Sequence, residues 1–206
     1  MSNFKGKKVL ITGHTGFKGF WLSMILKNLG ADVTGISLKN KNDIKSHFGS
    51  LNGENLIKTN YIDIRNLDHL KKEIKKIYPD YIIHLPAQAL VSESFLDPHH
   101  TFTTNTIGSI NLLESLRLIN KECTVLMITS DKVYENVEWV YGYRENDRLG
   151  GNDPYSASKA CAELSIKSYF KSFLINSNIR LCIARAGNVI GGGDWSRNRL
   201  IPDCIR

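Results

Sequence analysis

The chain has little of what marks a disulfide scaffold, a metal protein or a membrane protein. Its four cysteines, Cys123, Cys161, Cys182 and Cys204, make no C-x-x-C pair and have no histidine at metal-ligand spacing. Cys123 and Cys182 adjoin or enter apolar β-type runs and Cys161 lies on a helical pattern, so reduced structural thiols of a cytoplasmic protein are expected, with no metal. The opening Met-Ser-Asn-Phe-Lys-Gly-Lys-Lys leads into an apolar run too short for a signal peptide or a membrane span. A soluble protein with no membrane partner is therefore expected. There is no low-complexity tract. No basic stripe or RNP-like aromatic pattern is present either, which argues against nucleic acid as a partner.

What remains suits one domain. The 206 residues, 42% of them hydrophobic, can bury a real core. A net charge of +7 leaves room for an anionic ligand. Much of that charge has a plainer origin, in Lys71, Lys72, Lys75 and Lys76 on one helix face and Lys39, Lys41 and Lys45 in a polar loop.

Short β-branched runs alternate with helical periods. Residues 9–12 read as a strand, and Phe17, Phe20, Trp21, Met24, Ile25 and Leu29 then recur at helical spacing until Gly30. Strands are expected at 33–38, 57–63, 81–85, 125–129 and 179–186, and further helices at 67–77, 105–119 and 155–173. Strand–helix alternation with continuous apolar strands implies an α/β fold, a Rossmann-like doubly wound parallel sheet with helices on both faces. Ligands of such sheets bind at the carboxyl ends of the strands, where the strand order reverses.

"ITGHTGFKG" sets Gly13, Gly16 and Gly19 three apart, just after the first strand and opening the first helix. Glycines let the backbone approach a pyrophosphate, and free N–H groups at the helix start favour its charge. The stretch resembles the T-G-x-x-G-F-x-G motif of extended short-chain dehydrogenases/reductases. The resemblance implies that Gly13, His14, Thr15, Gly16, Phe17, Lys18 and Gly19 border a dinucleotide, with His14 either touching phosphate or facing solvent. The second strand lacks the terminal acid that usually holds the ribose of NAD; Ser37 and Lys39 stand there, with Asp43 later. NAD is the expected cofactor, and NADP stays open because Lys39 could meet a 2′-phosphate. Asp63-Ile64 resembles the family's adenine-contacting pair, or else Asp63 caps the helix that follows.

"DPYSASKACAEL" places Tyr155 and Lys159 four apart at a helix start. That spacing advances a helix by about 6 Å and brings both side chains to one face. An ammonium beside a phenol would lower the tyrosine pKa and make it a general base.

Longer stretches sharpen the resemblance. "TSDKVYENVEWVYGYRENDRLGGNDPYSASKACAEL", "RAGNVIGGGDWSRNRLIPD", "HLPAQALVSESFLDP" and "TNTIGSINLLES" together look like the CDP-glucose 4,6-dehydratases, enzymes of that superfamily acting on nucleotide sugars. The implied chemistry is an internal redox cycle. Tyr155 takes the proton of the sugar 4-OH as hydride passes from C4 to the nicotinamide; the 4-ketone acidifies C5, water leaves across C5 and C6, and the hydride returns to C6. The resemblance gives Ser130 to the 4-oxygen, Asp131 to the departing 6-hydroxyl, and Lys159 also to the nicotinamide ribose. Lys132 stands where dTDP-glucose relatives carry a glutamate that takes the C5 proton. It either takes that proton itself, with a lowered pKa, or stabilises the enolate while Asp131 or a water moves the proton.

The same resemblance implies that Leu85, Ala87 and Gln88 line the cofactor after the fourth strand, with Pro86 stiffening that loop. It makes Asn105 a supporting asparagine of the cofactor site, for which a helix N-cap is the plainer account. Asn188 would hold the substrate diphosphate and Arg199 would begin the nucleotide site; His99 and His100 are expected in an exposed loop. Residues 1–190 would form the dinucleotide-binding domain with the catalytic residues, and 191–206 the start of a substrate-binding region that is otherwise absent. Three functions stay open: a CDP-glucose dehydratase, another nucleotide-sugar enzyme such as an epimerase, and a non-catalytic dinucleotide-binding fragment. A homodimer is expected through a four-helix contact of 105–119 and 155–173.

Overall fold

The computed structural model describes residues 3–39, 46–196 and 198–205. Lys41, Asp43 and Lys45 lie outside the described residues. Six parallel strands, β1 (Lys8–Thr12), β2 (Asp32–Ser37), β3 (Lys58–Tyr61), β4 (Tyr81–His84), β5 (Cys123–Ile128) and β6 (Ile179–Ala184), form one sheet in the order β3-β2-β1-β4-β5-β6. The order reverses between β1 and β4, which sets the ligand crevice over their carboxyl ends.

Side-chain alternation along the strands divides the core in two. Leu10, Ile36, Ile82, Val125 and Met127 face one layer, packed with Leu70 and Ile74 of α4 (Leu67–Ile77), Leu112, Leu113 and Leu116 of α7 (Gly108–Leu116) and Ile166 of α8 (Pro154–Tyr169). Val9, Ile11 and Val33 face the other, with Phe20 and Leu26 of α1 (Phe17–Asn28), Phe48 of the short α2 (His47–Ser50), and Ile57 just past the short α3 (Gly53–Leu56). Helices therefore cover both faces, as the alternation implied.

The strands and α1, α4 and α8 fall within two residues of the expected bounds at most ends. α4 is closed by Tyr78, at φ 50°, its N–H donating to the Ile74 carbonyl. The 105–119 helix begins earlier. After α5 (Val91–Leu96), a helix starts at Pro98 behind an Asp97 N-cap as α6 (Pro98–Phe102), widens into a π segment over Thr103–Ile107, and continues as α7. Thr103 Oγ1 donates to the carbonyls of His99 and His100 there, a local competition that accompanies the widened turn. A short α9 (Leu200–Ile205) follows β6. All four cysteines are free thiols. Among the described residues no helix is long and apolar enough to cross a membrane.

Candidate active site

The phosphate loop is shaped by close backbone approach. Gly13 has φ 78°, and a Cβ there would stand 2.8 Å from the nitrogen of Pro86, so the loops after β1 and β4 touch. The loop opens α1 and borders a cavity of about 520 Å³ lined by Gly13, Thr15, Gly16, Phe17, Lys18 and Gly19. Ser37, Lys39, Asp63, Ile64 and Arg65 line its far end, and Leu85, Pro86, Ala87 and Gln88 its wall beside β4. The glycine cradle, its free N–H groups at the start of α1 and the cavity beside it suit the pyrophosphate of a dinucleotide.

His14 departs from both expectations. Its ring is fully buried, and Nε2 shares a hydrogen bond with Thr59 Oγ1 at 2.9 Å. It sits edge-on to Phe48, over Gly35, where any Cβ would lie 2.2 Å from the ring. The side chain is aimed into the core, so it faces neither solvent nor the cavity. For Asn105 the N-cap account is excluded. It is 1% exposed in the π segment, caps no helix, and uses its amide on Gln88 N–H, Gln88 C=O and Ser158 Oγ. It holds the cavity wall in place from behind. Asp63 does not cap α4, a role taken by Asn66. Instead it binds Arg65 through both carboxylate oxygens, and those hydrogen bonds hold its pKa below the usual carboxylate range despite partial burial.

At the other end, α8 begins where the sequence suggested and for a local reason. Asp153 accepts from Ser156 N–H and Oγ, Pro154 occupies the first turn, and Tyr155 follows at the mouth of the cleft. Ser130 lies two residues past β5 and caps the 3₁₀ turn Asp131–Val133, accepting from Lys132 N–H at 3.2 Å. Its hydroxyl donates to Asp131 Oδ1 at 3.0 Å. Ser130 lines a second cavity together with Asp131 and Tyr155, and one hydroxyl proton can serve the carboxylate or the phenol but not both at once.

Tyr155 and Thr129 stand where the first cavity meets a second, of about 320 Å³, that also takes in Ser130, Asp131, Lys132, Asn188 and Arg199. Lys18 and Arg199 border both. Lys159 is 6% exposed, donates to the Ile128 carbonyl at 3.5 Å, and is pushed down to about 8 by burial and by the nearby Lys18. The expected lowering of the Tyr155 pKa is not found: burial raises it and outweighs the Ser130 hydroxyl and Arg199.

Several residues of this cleft escaped the sequence reading. His99 and His100 are helical, in α6, and His100 lines the dinucleotide cavity with Nδ1 3.1 Å from Arg65 Nη1. Ala89 and Leu90, with Val91 and Ser92 at the start of the unforeseen α5, line the second cavity. Asp194 borders both cavities beside Arg199, 3.9 Å from its Nε; the signal was the "GGGDW" run, whose acid had no assigned task.

A Rossmann sheet with a glycine loop after β1 and a buried Tyr-x-x-x-Lys pair over β5 defines a short-chain dehydrogenase/reductase type of protein. Residues 10–201 match the model of the GDP-mannose 4,6 dehydratase family, and the chain belongs to that family. It is 44% identical, over 98% of its length, to CDP-glucose 4,6-dehydratase of Salmonella typhimurium, of which it spans 58%. Among solved structures it is similar to the epimerase Mth375 of Methanothermobacter thermautotrophicus, with TM-score 0.79 and 25% identity over 97% of this chain and 57% of that one. It is also similar to RMD of Pseudomonas aeruginosa complexed with NADPH, with TM-score 0.68 and 27% identity over 91% of this chain and 55% of that one. The chain thus spans a little over half the length of these relatives.

Proposed function

We propose that this chain carries the dinucleotide-binding and acid–base part of a nucleotide-sugar 4,6-dehydratase acting on CDP-glucose. The observation that carries the reading is the join of the two cavities, where Tyr155, Ser130, Asp131 and Lys132 meet along one wall. The 44% identity to a CDP-glucose enzyme supports the substrate. NAD is the proposed cofactor, with NADP the alternative, since β2 ends in Ser37 and no carboxylate stands there. Gly13, Thr15 to Gly19, Ser37, Asp63-Ile64 and the 85–88 loop would hold it. Once bound, the nicotinamide would supply a reversible hydride carrier, loaded from C4 and unloaded at C6.

The chain's own residues then have separable tasks. Tyr155 receives the 4-hydroxyl proton, and Ser130 orients that oxygen. Lys159 is the nearest cation on α8 and stabilises the phenolate as it forms, which offsets the effect of burial on Tyr155. Asp131, exposed on the second cavity and linked to Ser130, delivers a proton to the departing 6-hydroxyl. Lys132 places a cation beside the C5 enolate as a water takes the C5 proton. Asn188 and Arg199 border the space for the diphosphate and nucleotide. A homodimer through the 103–116 helix and α8 belongs to the same proposal; Ile107, just before α7, and Leu164 on α8 are exposed apolar side chains there, at 45% and 56%.

Incubation of the chain with CDP-glucose and NAD tests the reading. The expected product is a CDP-4-keto-6-deoxy sugar, lighter by one water, with no net reduction of the dinucleotide. An epimerised sugar without loss of water would establish an epimerase. Dinucleotide binding without turnover of any nucleotide sugar would establish a binding fragment.

A further inference from the structure

The mechanism leaves one buried acid without a task. Glu163 lies on α8 one turn beyond Lys159 and two beyond Tyr155, and its side chain is 1% exposed. A carboxylate that deep is retained only if its oxygens are satisfied. Four donors satisfy it: Thr129 Oγ1 at 3.3 Å and Arg185 Nε at 3.0 Å on Oε2, Arg185 Nη2 and, at 3.0 Å, Lys167 Nζ on Oε1.

Two of those partners, Thr129 and Arg185, lead to different walls of the cleft. Thr129 comes directly after β5 and directly before Ser130. Arg185 follows β6 and leads to Ala186, whose carbonyl accepts from Asp131 N–H at 3.0 Å, and to Asn188 on the second cavity. Arg185 also reaches the long 134–149 loop, donating to the Glu145 carbonyl at 3.1 Å and lying 4.5 Å over the Tyr134 ring. The carboxylate and guanidinium thus join α8, the ends of β5 and β6, and that loop, at a point behind the reacting groups.

We infer that Glu163 and Arg185 are a positioning pair, which sets the reach between Tyr155 on α8 and Ser130 just past β5. Neither touches either cavity, so they act through Thr129, Ser130 and the helix. Burial alone would raise the Glu163 pKa; the bonds from Arg185 and Lys167 outweigh it, so the pair stays ionised across the working range. The inference rests on the reading of Tyr155 as the acid–base group, but its test does not need turnover.

The test replaces both members by apolar residues of similar length, Glu163→Met with Arg185→Met, because a buried ion pair exchanged as a unit is often neutral for stability. The protein is labelled with [ζ-¹³C]tyrosine, the Tyr155 signal is assigned with Tyr155→Phe, and its titration is followed in the full chain. With a melting temperature near that of the parent, the double variant should show Tyr155 titrating about one pH unit higher, a tenfold weaker acid, as the Ser130 hydroxyl moves out of reach of the phenol. Thr129→Val, which removes only the β5 arm, should move it the same way by less. An unchanged Tyr155 titration in a folded double variant, or in Thr129→Val should the double variant not fold, would overturn the inference. Turnover of CDP-glucose by the parent chain is scored separately and decides only the functional reading.

Discussion

At the phosphate-loop end of the cleft the wall is backbone, brought close by Gly13 at φ 78° and the contact between the loops after β1 and β4. At the β5–α8 end the wall is side chain: a phenol, a hydroxyl, a carboxylate and two ammonium groups on a strand end, a 3₁₀ turn and a helix. Backbone recognition tolerates any sequence that turns correctly, and so gives a superfamily-wide anion cradle. Side-chain chemistry depends on particular atoms, and so distinguishes one reaction from another. Damage to the first end should therefore remove binding, and damage to the second should remove turnover while binding stays.

The largest effect is expected from Tyr155→Phe, which deletes the acid–base oxygen and nothing else. Turnover should fall about a thousandfold, with the dinucleotide dissociation constant within about threefold of the parent, measured by steady-state kinetics and fluorescence titration. Gly13→Ala should do the reverse in kind. Its Cβ has no room beside Pro86 and the backbone would be strained by about 1–3 kcal/mol, so dinucleotide affinity should fall at least about a hundredfold. Equal losses of binding and turnover in both variants would erase the distinction between the two ends.

How much of this was legible beforehand follows the same division. The glycine loop, the strand order class and the Tyr155–Lys159 pair are local patterns of fixed spacing, and the sequence displays them directly. His14 was misjudged because its direction depends on Gly35 and Thr59, which β2 and β3 bring under the loop. The N-cap account of Asn105 fails because the helix it was expected to begin starts seven residues earlier, at Pro98. The Tyr155 pKa was misjudged because spacing reports the neighbouring lysine but not the burial, and burial dominates. Glu163 and Arg185 are 22 positions apart, and nothing local announces that they meet.

Within the side-chain end the tasks should separate too. Asp131→Asn should slow loss of water about fiftyfold while leaving proton removal by Tyr155 intact, so a 4-keto sugar that keeps its 6-hydroxyl should be released. Product analysis by mass spectrometry checks this, and a variant that forms no ketone at all would place Asp131 earlier in the reaction.

Beneath both ends lies His84, fully buried, with Nδ1 2.8 Å from Thr12 Oγ1. Burial first, and then the Lys159 charge, push its pKa down to about 3. The unfolded chain therefore binds a proton that the folded one refuses between about 6.5 and 3, and stability falls as the pH drops through that window. The loss should approach about 1.4 kcal/mol per pH unit below 6, and His84→Gln should flatten it between pH 6 and 5 in urea unfolding experiments. An unchanged slope would mean that His84 is charged in the folded protein. The smallest effect belongs to the cofactor's far end, where Ser37→Asp should raise the preference for NAD over NADP by about tenfold in competitive binding, through a ribose hydrogen bond and repulsion of a 2′-phosphate.

The central claim is that one group of side chains at the junction of the two cavities moves a hydrogen within a single sugar. CDP-glucose deuterated at C4 tests it most directly, with the product read by NMR. The account predicts deuterium at C6 of the 4-keto-6-deoxy product, carried over within the same molecule. Deuterium retained at C4, or lost to solvent with none at C6, would contradict it.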